Sequence, residues 1–100
     1  MDDNSDMQTV FDDLFETIES RQENLPADSY TTALFTHEKG ENMILEKVGE
    51  EATETILAAK DGDKPALQAE SADLLYHLFV LCVNKGLTLD EIREELQNRF

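Results

Sequence analysis

Two pairs of carboxylates are the part of this chain best suited to do chemistry. Glu51 and Glu54 form the first pair, and Glu70 and Asp73 form the second. On a helix, side chains three residues apart lie on one face, so each pair points two negative charges in nearly one direction. Such a pair repels by roughly 0.2–0.5 kcal/mol. Two repulsive pairs in one short chain favour a hard divalent cation, and Mg²⁺ prefers carboxylate oxygens together with substrate phosphates.

The elements that must position these acids are two long helices joined by a tight break. Apolar residues at helical spacing predict one helix over residues 41–61 and the next over residues 65–85. Between them, Gly62 suits the end of a helix, Asp63 suits an N-cap and Pro65 suits a first helical turn. Because the connection is short, we expect antiparallel neighbours that bring the two pairs of acids together.

The apolar stripe of the first long helix predicts which face of that helix is buried. Its members are Leu45, Val48, Ala52, Thr55, Ile56 and Ala59. At 100° per residue the stripe is centred near Val48 and Ala59, which puts Glu51 about 80° away, on the edge of the buried face. Gly49 costs a helix about 1 kcal/mol against alanine, so its presence suggests a close approach by another backbone or a ligand.

Asp73 lies at the start of a strongly apolar part of the second long helix. Residues 72–83 are apolar on nearly every side, and a helix of this kind is surrounded by protein. In so small a chain this predicts packing against a second subunit. A buried acid must be paired, protonated or bound to metal. The fixed cations between residues 44 and 83 are only Lys47, Lys60 and Lys64, too few for all the acids, which favours metal.

Two aromatic residues follow on the same helix. His77 falls within about 60° of Glu70 and Asp73 on the helix surface. It is therefore either a partner of a metal ligand or, as we favour, a core histidine satisfied by hydrogen bonds. Tyr76 lies on the other side of the helix, and we expect it to pack at the subunit interface.

Carboxylates from two adjacent helices can hold one or more Mg²⁺ ions. A bound metal bridges phosphate oxygens, neutralises charge that builds in the transition state and lowers the pKa of a bound water. Hydrolysis of a phosphoanhydride is the most natural use of such a site. Glu50 points farther out than Glu51, but it lies four residues from Glu54 and can still join the site.

The rest of the chain predicts three further helices. One covers residues 5–23 and begins with a capping-box pattern, a short one covers residues 29–35, and an amphipathic one begins at Thr88 with a second capping-box pattern. The loop over residues 36–42 is polar and precedes the first carboxylate helix, where it could serve substrate binding. Lys39 is the only cation of this loop.

The 100 residues of the chain are expected to form one domain, and the sequence contains no strand pattern. We predict that residues 1–100 are all-α, an antiparallel helical bundle completed by homodimerisation, and that residues 1–4 lack a fixed structure. The hydrophobic fraction of 40% is that of a globular protein. Cys82, the only cysteine, lies in an apolar run and is expected to be a buried, unreactive thiol.

The charge balance restricts the partners of this protein. The formal net charge is −15, and the pI is about 4.2, so nucleic acid and anionic membranes are poor partners. Such a surface suits a salt-rich cytosol that screens self-repulsion. The first residues are acidic, unlike a secretory signal, and no apolar run reaches transmembrane length. We therefore expect a cytoplasmic protein.

At these residues the sequence resembles a known family. Glu50-Glu51-x-x-Glu54 followed by Glu70-x-x-Asp73 is similar to the motif of the all-α nucleotide pyrophosphohydrolases. The longer strings resemble the phosphoribosyl-ATP pyrophosphatases of histidine biosynthesis; they are Ser29-Tyr30-Thr31, Lys47-Val48-Gly49-Glu50-Glu51-Ala52-Thr53-Glu54, Ala58-Ala59-Lys60 and Ala72-Asp73-Leu74-Leu75-Tyr76-His77. The resemblance extends from about Val10 to Arg99.

The resemblance implies an activity and a set of roles. It implies a homodimeric helical fold and Mg²⁺-dependent hydrolysis of phosphoribosyl-ATP to phosphoribosyl-AMP and pyrophosphate. It also implies that Glu51, Glu54, Glu70 and Asp73 are the metal ligands, with Glu50 as a fifth ligand or the base that activates water.

Several readings of these residues stay open at this point. Lys39, Lys47, Lys60 and Arg21 are candidates to bind substrate phosphates, against ion pairs with neighbouring acids. A housecleaning hydrolase of NTPs or dNTPs is the alternative within the enzyme class, and an acidic helical interaction module without catalysis is the alternative outside it. For the module, the four acids would be a solvated helix edge.

Overall fold

The computed structural model describes residues 7 and 9–100, and over that part of the chain it contains helices and no strand. In chain order the helices are α1 (Val10–Asn24), α2 (Tyr30–Thr36), α3 (Glu41–Lys60), α4 (Lys64–Asn84) and α5 (Leu89–Arg99). The predicted all-α class is therefore confirmed. The capping box predicted at Ser5 and the predicted lack of structure in residues 1–4 lie outside the described residues.

Local chemistry explains where the helices begin and end. The Ser29 hydroxyl accepts a hydrogen bond from the Thr32 N–H at the start of α2. The Asp63 carboxylate does the same for the Ala66 N–H at the start of α4, and Gly62 turns the chain with a φ of 70° that suits glycine. The break predicted between α3 and α4 is thus confirmed, as is the capping box between Thr88 and Glu91.

The antiparallel pair α3 and α4 forms the centre of the molecule, and α1 and α2 pack against it. The buried core consists of Phe15, Ile18, Leu34, Ile44, Phe79, Val80, Cys82 and Val83. The ring of Phe79 meets that of Phe15 edge-on, with 5.3 Å between the ring centroids. The expectation that Cys82 is buried is confirmed, and burial raises the pKa of its thiol, which disfavours the reactive thiolate.

The buried face of α3 differs from the predicted one. The buried residues are Ile44, Glu51 and Ala58, which repeat every seven residues, whereas Leu45 and Ile56 of the predicted stripe are 44% and 62% exposed. The helix carries apolar residues on two faces, and Leu45 and Ile56 of the predicted stripe lie on the face that the described part of the chain leaves exposed. As a result, Glu51 lies at the centre of the face toward α4 rather than at its edge.

The prediction that no apolar run reaches transmembrane length needs a correction at helix α4. By its length and a mean hydropathy of 1.2, this helix qualifies as a possible membrane span. The core helix of a soluble protein passes the same test, so one such helix is weak support for a membrane segment. Leu75 and Leu78 on this helix are each 38% exposed.

Salt is expected to stabilise this fold because its charges are mostly of one sign. The formal net charge is −15 on 100 residues, and raising the ionic strength from 0.1 M to 1 M shortens the Debye length from about 10 Å to about 3 Å. We expect 1 M KCl to raise the Tm by about 5 °C, or about 1 kcal/mol for a domain of this size.

Calorimetry in 0.05 M and 1 M KCl measures this effect. Sucrose at matched osmolality is the control, because it favours the compact state without screening charge. A Tm that does not change with KCl would contradict the prediction.

Candidate metal and active site

Helices α3 and α4 bring together three of the four predicted metal ligands. Glu51 on α3 and Glu70 and Asp73 on α4 each place a carboxylate oxygen within 4.8 Å of the other two. Glu51 is buried, Glu70 is half-buried and Asp73 is exposed, so the group opens from the helix interface toward solvent. The two predicted pairs of acids therefore meet across the antiparallel helices.

The fourth predicted ligand, Glu54, lies beside the same group. Its charge and hydrogen bonding with it help to raise the pKa of Glu51 and of Glu70. Glu54 also lines the same surface cleft as Glu70. The four predicted ligands are therefore close together.

The pKa values of Glu51 and Glu70 are both raised, as expected for carboxyl groups that lie close together. Burial is the main cause that raises the pKa of Glu51 above 4.5, followed by the charges of Glu54 and Asp73. For Glu70, the hydrogen bond with Glu54 is the main cause of a raised pKa, followed by burial. These carboxyl groups therefore retain protons more tightly than free carboxyl groups do.

A hard divalent cation fits this donor set. The Oε2 atom of Glu51 is buried and has no hydrogen-bond partner among the described residues, and a buried carboxylate oxygen without a partner is costly. All the converging atoms are carboxylate oxygens, the ligands that Mg²⁺ and Mn²⁺ prefer. A cation would satisfy the unpaired oxygen and offset the repulsion among the four acids.

Lys47 is the predicted substrate-binding cation that lies closest to the acids. Its Nζ atom is 3.8 Å from a carboxylate oxygen of Glu50 and 4.0 Å from one of Glu51. Both distances are long for hydrogen bonds, so the ammonium group retains donors for a further anion. Glu50 is exposed and is engaged by Lys47 rather than by the other acids.

The other predicted substrate-binding cations make different contacts. Lys39 forms an exposed ion pair with Glu46 at 3.2 Å, and Arg21 donates to the Ser29 hydroxyl at 3.1 Å. Lys60 is exposed at the end of α3 and makes no ion pair with any residue that the structure describes. None of the three contacts the group of acids, so their predicted roles stay predictions.

A surface cleft lies beside the acids. It has a volume of about 430 Å³ and is lined by residues from both helices, including Glu54 and Ala58 on α3 and Glu70 on α4. The cleft runs toward Asp61 at the break between the helices. The cleft therefore places open surface next to two of the carboxylates, Glu54 and Glu70.

Tyr76 and His77 of α4 contact α2. The Tyr76 hydroxyl is hydrogen-bonded to that of Thr31, and the centroid of its ring lies 4.9 Å from that of His77 and 6.2 Å from that of Tyr30. Within the chain Tyr76 therefore packs against α2, and its place at a subunit interface stays a prediction. His77 is buried with both ring nitrogens bonded, as expected of a satisfied core histidine, and one of its partners is the backbone of Asp73.

Comparison with known proteins decides the family. The family model described as phosphoribosyl-ATP pyrophosphohydrolase matches residues 11–100. The chain belongs to this family. It is 69% identical over 93 residues to a phosphoribosyl-ATP pyrophosphatase of Haloquadratum walsbyi, with 93% of each chain covered.

Other relatives of this family cover the chain equally well. A phosphoribosyl-ATP pyrophosphatase of Haloarcula marismortui is 58% identical over 94 residues, which cover 94% of this chain and 96% of the relative. One of Bacillus cereus strain AH820 is 50% identical over 93 residues, which cover 93% and 85%. As a member of this family the chain is a hydrolase, which favours that reading over the interaction module.

Tyr30 is the residue near the site that the sequence reasoning did not single out. Its hydroxyl bonds to His77, which lies one helical turn after Asp73. Helical spacing carries no information on a contact between α2 and α4, which are 47 residues apart at this point. The signal that could have found it is the presence of both Ser29-Tyr30-Thr31 and Tyr76-His77 among the strings that resemble the family.

Proposed function

We propose that this chain hydrolyses phosphoribosyl-ATP to phosphoribosyl-AMP and pyrophosphate in a Mg²⁺-dependent reaction, an early step of histidine biosynthesis. The observation that carries the proposal is the convergence of Glu51, Glu70 and Asp73 from α3 and α4, in which the buried Oε2 of Glu51 has no hydrogen-bond partner among the described residues. Membership of the family over residues 11–100 supports the substrate.

The residues of the chain have distinct parts in this reaction. Glu51, Glu54, Glu70 and Asp73 would hold the metal, which when bound polarises phosphate oxygens and lowers the pKa of water. Glu50 stands outside the four acids on the same helix, as a fifth ligand or as the base that takes a proton from the attacking water. Water adds to phosphorus, one phosphoanhydride bond breaks and pyrophosphate leaves.

Cations must offset the charge of the substrate as it approaches an acidic protein. Lys47 is placed to contact a phosphate, since its ammonium group lies beside Glu50 and Glu51 at distances too long for strong hydrogen bonds. Arg21, Lys39 and Lys60 are the further candidates.

A second copy of the chain completes the bundle in this proposal. On one face of α3, Leu45 and Ile56 are 44% and 62% exposed, and the apolar helix α4 also exposes Leu75 and Leu78. Apolar surface on two adjacent helices is typical of a surface that another protein covers. We therefore propose a cytoplasmic homodimer that acts on phosphoribosyl-ATP, with neither nucleic acid nor membrane as a partner.

Pyrophosphate release tests this function. The purified protein is assayed in molar KCl with phosphoribosyl-ATP and with a panel of NTPs and dNTPs, in Mg²⁺ or in EDTA. We expect release from phosphoribosyl-ATP alone, abolished by EDTA and by Asp73→Ala. EDTA removes the cation, and the substitution removes one of its ligands.

The other outcomes have clear meanings. Preference for free nucleotides would identify a housecleaning hydrolase that uses the same four acids. Release that persists in EDTA would overturn the metal requirement. A folded protein that releases no pyrophosphate from any of these substrates would overturn the proposed reaction.

A further inference from the structure

We propose that Tyr30 is a positioning residue for the metal site, acting through His77 on the helical turn that carries Asp73. The inference rests on the metal site of the proposed function and adds a residue from a third helix to it. Tyr30 is the first residue of α2, whereas all the proposed ligands lie on α3 and α4.

Two hydrogen bonds connect Tyr30 to Asp73. The Tyr30 hydroxyl lies 3.1 Å from Nε2 of His77, and Nδ1 of His77 lies 2.8 Å from the backbone carbonyl oxygen of Asp73. A carbonyl oxygen can only accept, so Nδ1 carries the hydrogen. In the neutral ring Nε2 is then an acceptor, and the Tyr30 hydroxyl donates to it.

The ring of His77 is held in one orientation and is close to the acids. Tyr30 and Tyr76 pack edge-on against it, with ring centroids 5.9 Å and 4.9 Å away and interplanar angles of 82° in both pairs. The side chain is only 5% exposed. Nδ1 of this ring bonds to the backbone of a proposed ligand, Asp73.

The consequence of this arrangement is specific to the metal site. Without the Tyr30 hydroxyl, Nε2 of a buried histidine would lose its donor, and the ring would gain by rotating toward water. Rotation would release the Asp73 carbonyl and loosen the turn from which the Asp73 carboxylate projects. Groups that orient metal ligands in this way typically change metal affinity by 10–100-fold when they are removed.

The chain offers a matched control for this contact. The hydroxyl of Tyr76 also ties α4 to α2, through Thr31, but it does not connect to Asp73. Tyr76→Phe and Tyr30→Phe therefore remove the same chemical group from the same pair of helices. Both should lower the stability of the protein in urea to a similar extent, and only Tyr30→Phe should affect metal binding.

Binding of Mn²⁺ alone, followed by electron paramagnetic resonance of the free ion, tests the inference without substrate. We expect the Kd for Mn²⁺ to rise at least about tenfold in Tyr30→Phe and to stay within twofold of wild type in Tyr76→Phe. Urea unfolding of the same three proteins shows whether the two variants are equally well folded.

The contrary results separate failure of the metal site from failure of the positioning role. If the wild-type protein binds no Mn²⁺, the metal site of the proposed function fails, and this inference fails with it. If wild type binds Mn²⁺ and Tyr30→Phe binds it equally well, only the positioning role is overturned. Equal weakening in both variants would likewise overturn it, since general loosening of α2 would then explain the effect.

Discussion

Glu51→Gln is expected to abolish catalysis and at the same time to stabilise the protein without metal. Glu51 is the buried member of the four acids, and one of its carboxylate oxygens has no hydrogen-bond partner in the part of the chain that the structure describes. The amide keeps the shape of the side chain but removes a charged ligand. Loss of several kcal/mol of charge stabilisation in the transition state lowers pyrophosphate release by about a thousandfold, at 1.36 kcal/mol for each factor of ten.

The gain in stability from Glu51→Gln is expected to grow as the pH rises. The pKa of Glu51 is raised above 4.5 in the folded protein by burial and by the neighbouring acids. A raised folded pKa contributes stability that is fully present below the unfolded pKa and is lost as pH rises through the folded value. At neutral pH the wild-type protein has lost this contribution, whereas glutamine never ionises.

Urea unfolding in EDTA between pH 4 and pH 8 measures this difference. We expect the advantage of Glu51→Gln to be small near pH 4, to grow as the pH rises and to reach about 0.5 kcal/mol or more, the scale of a like-charge pair. Glu16→Gln, at an exposed acid on α1, is the control and should change neither activity nor stability. A variant less stable than wild type at pH 8 would contradict the account of the four acids.

Ile56→Asp is expected to separate the proposed dimer and to lower its activity. Ile56 is 62% exposed in the single chain and lies on the apolar face of α3 that faces away from α4. An interface anchor contributes about 2 kcal/mol or more, so a buried charge in its place should weaken association by at least about thirtyfold.

Light scattering at fixed protein concentration measures the mass, which should fall from about twice 11.3 kDa to 11.3 kDa. Leu96→Asp is the matched control, because Leu96 is 51% exposed on α5, away from the proposed interface, and should leave the mass of the dimer unchanged. A wild-type mass of 11.3 kDa would refute the dimer. Dissociation by Leu96→Asp but not by Ile56→Asp would move the interface to α5.

The sequence by itself determined the helices and the members of the proposed site. The break between α3 and α4 depends on Gly62, Asp63 and Pro65, whose effects are confined to a few neighbouring residues. The spacing of three residues in each pair of acids depends only on helical geometry. Because the connection between the helices is short, local chemistry was enough to predict that the two pairs would meet.

Tertiary structure alone decided how each of these residues is used. Helix α3 carries apolar residues on two faces, and only packing on α4 determines that the face with Ile44, Glu51 and Ala58 is the buried one. The same is true of the hydrogen bond between Tyr76 and Thr31, which joins α4 to α2. Burial of a particular face and contacts between distant helices depend on partners that helical periodicity does not encode. For this reason the raised pKa of Glu51 and the connection from Tyr30 to Asp73 became visible only in the folded chain.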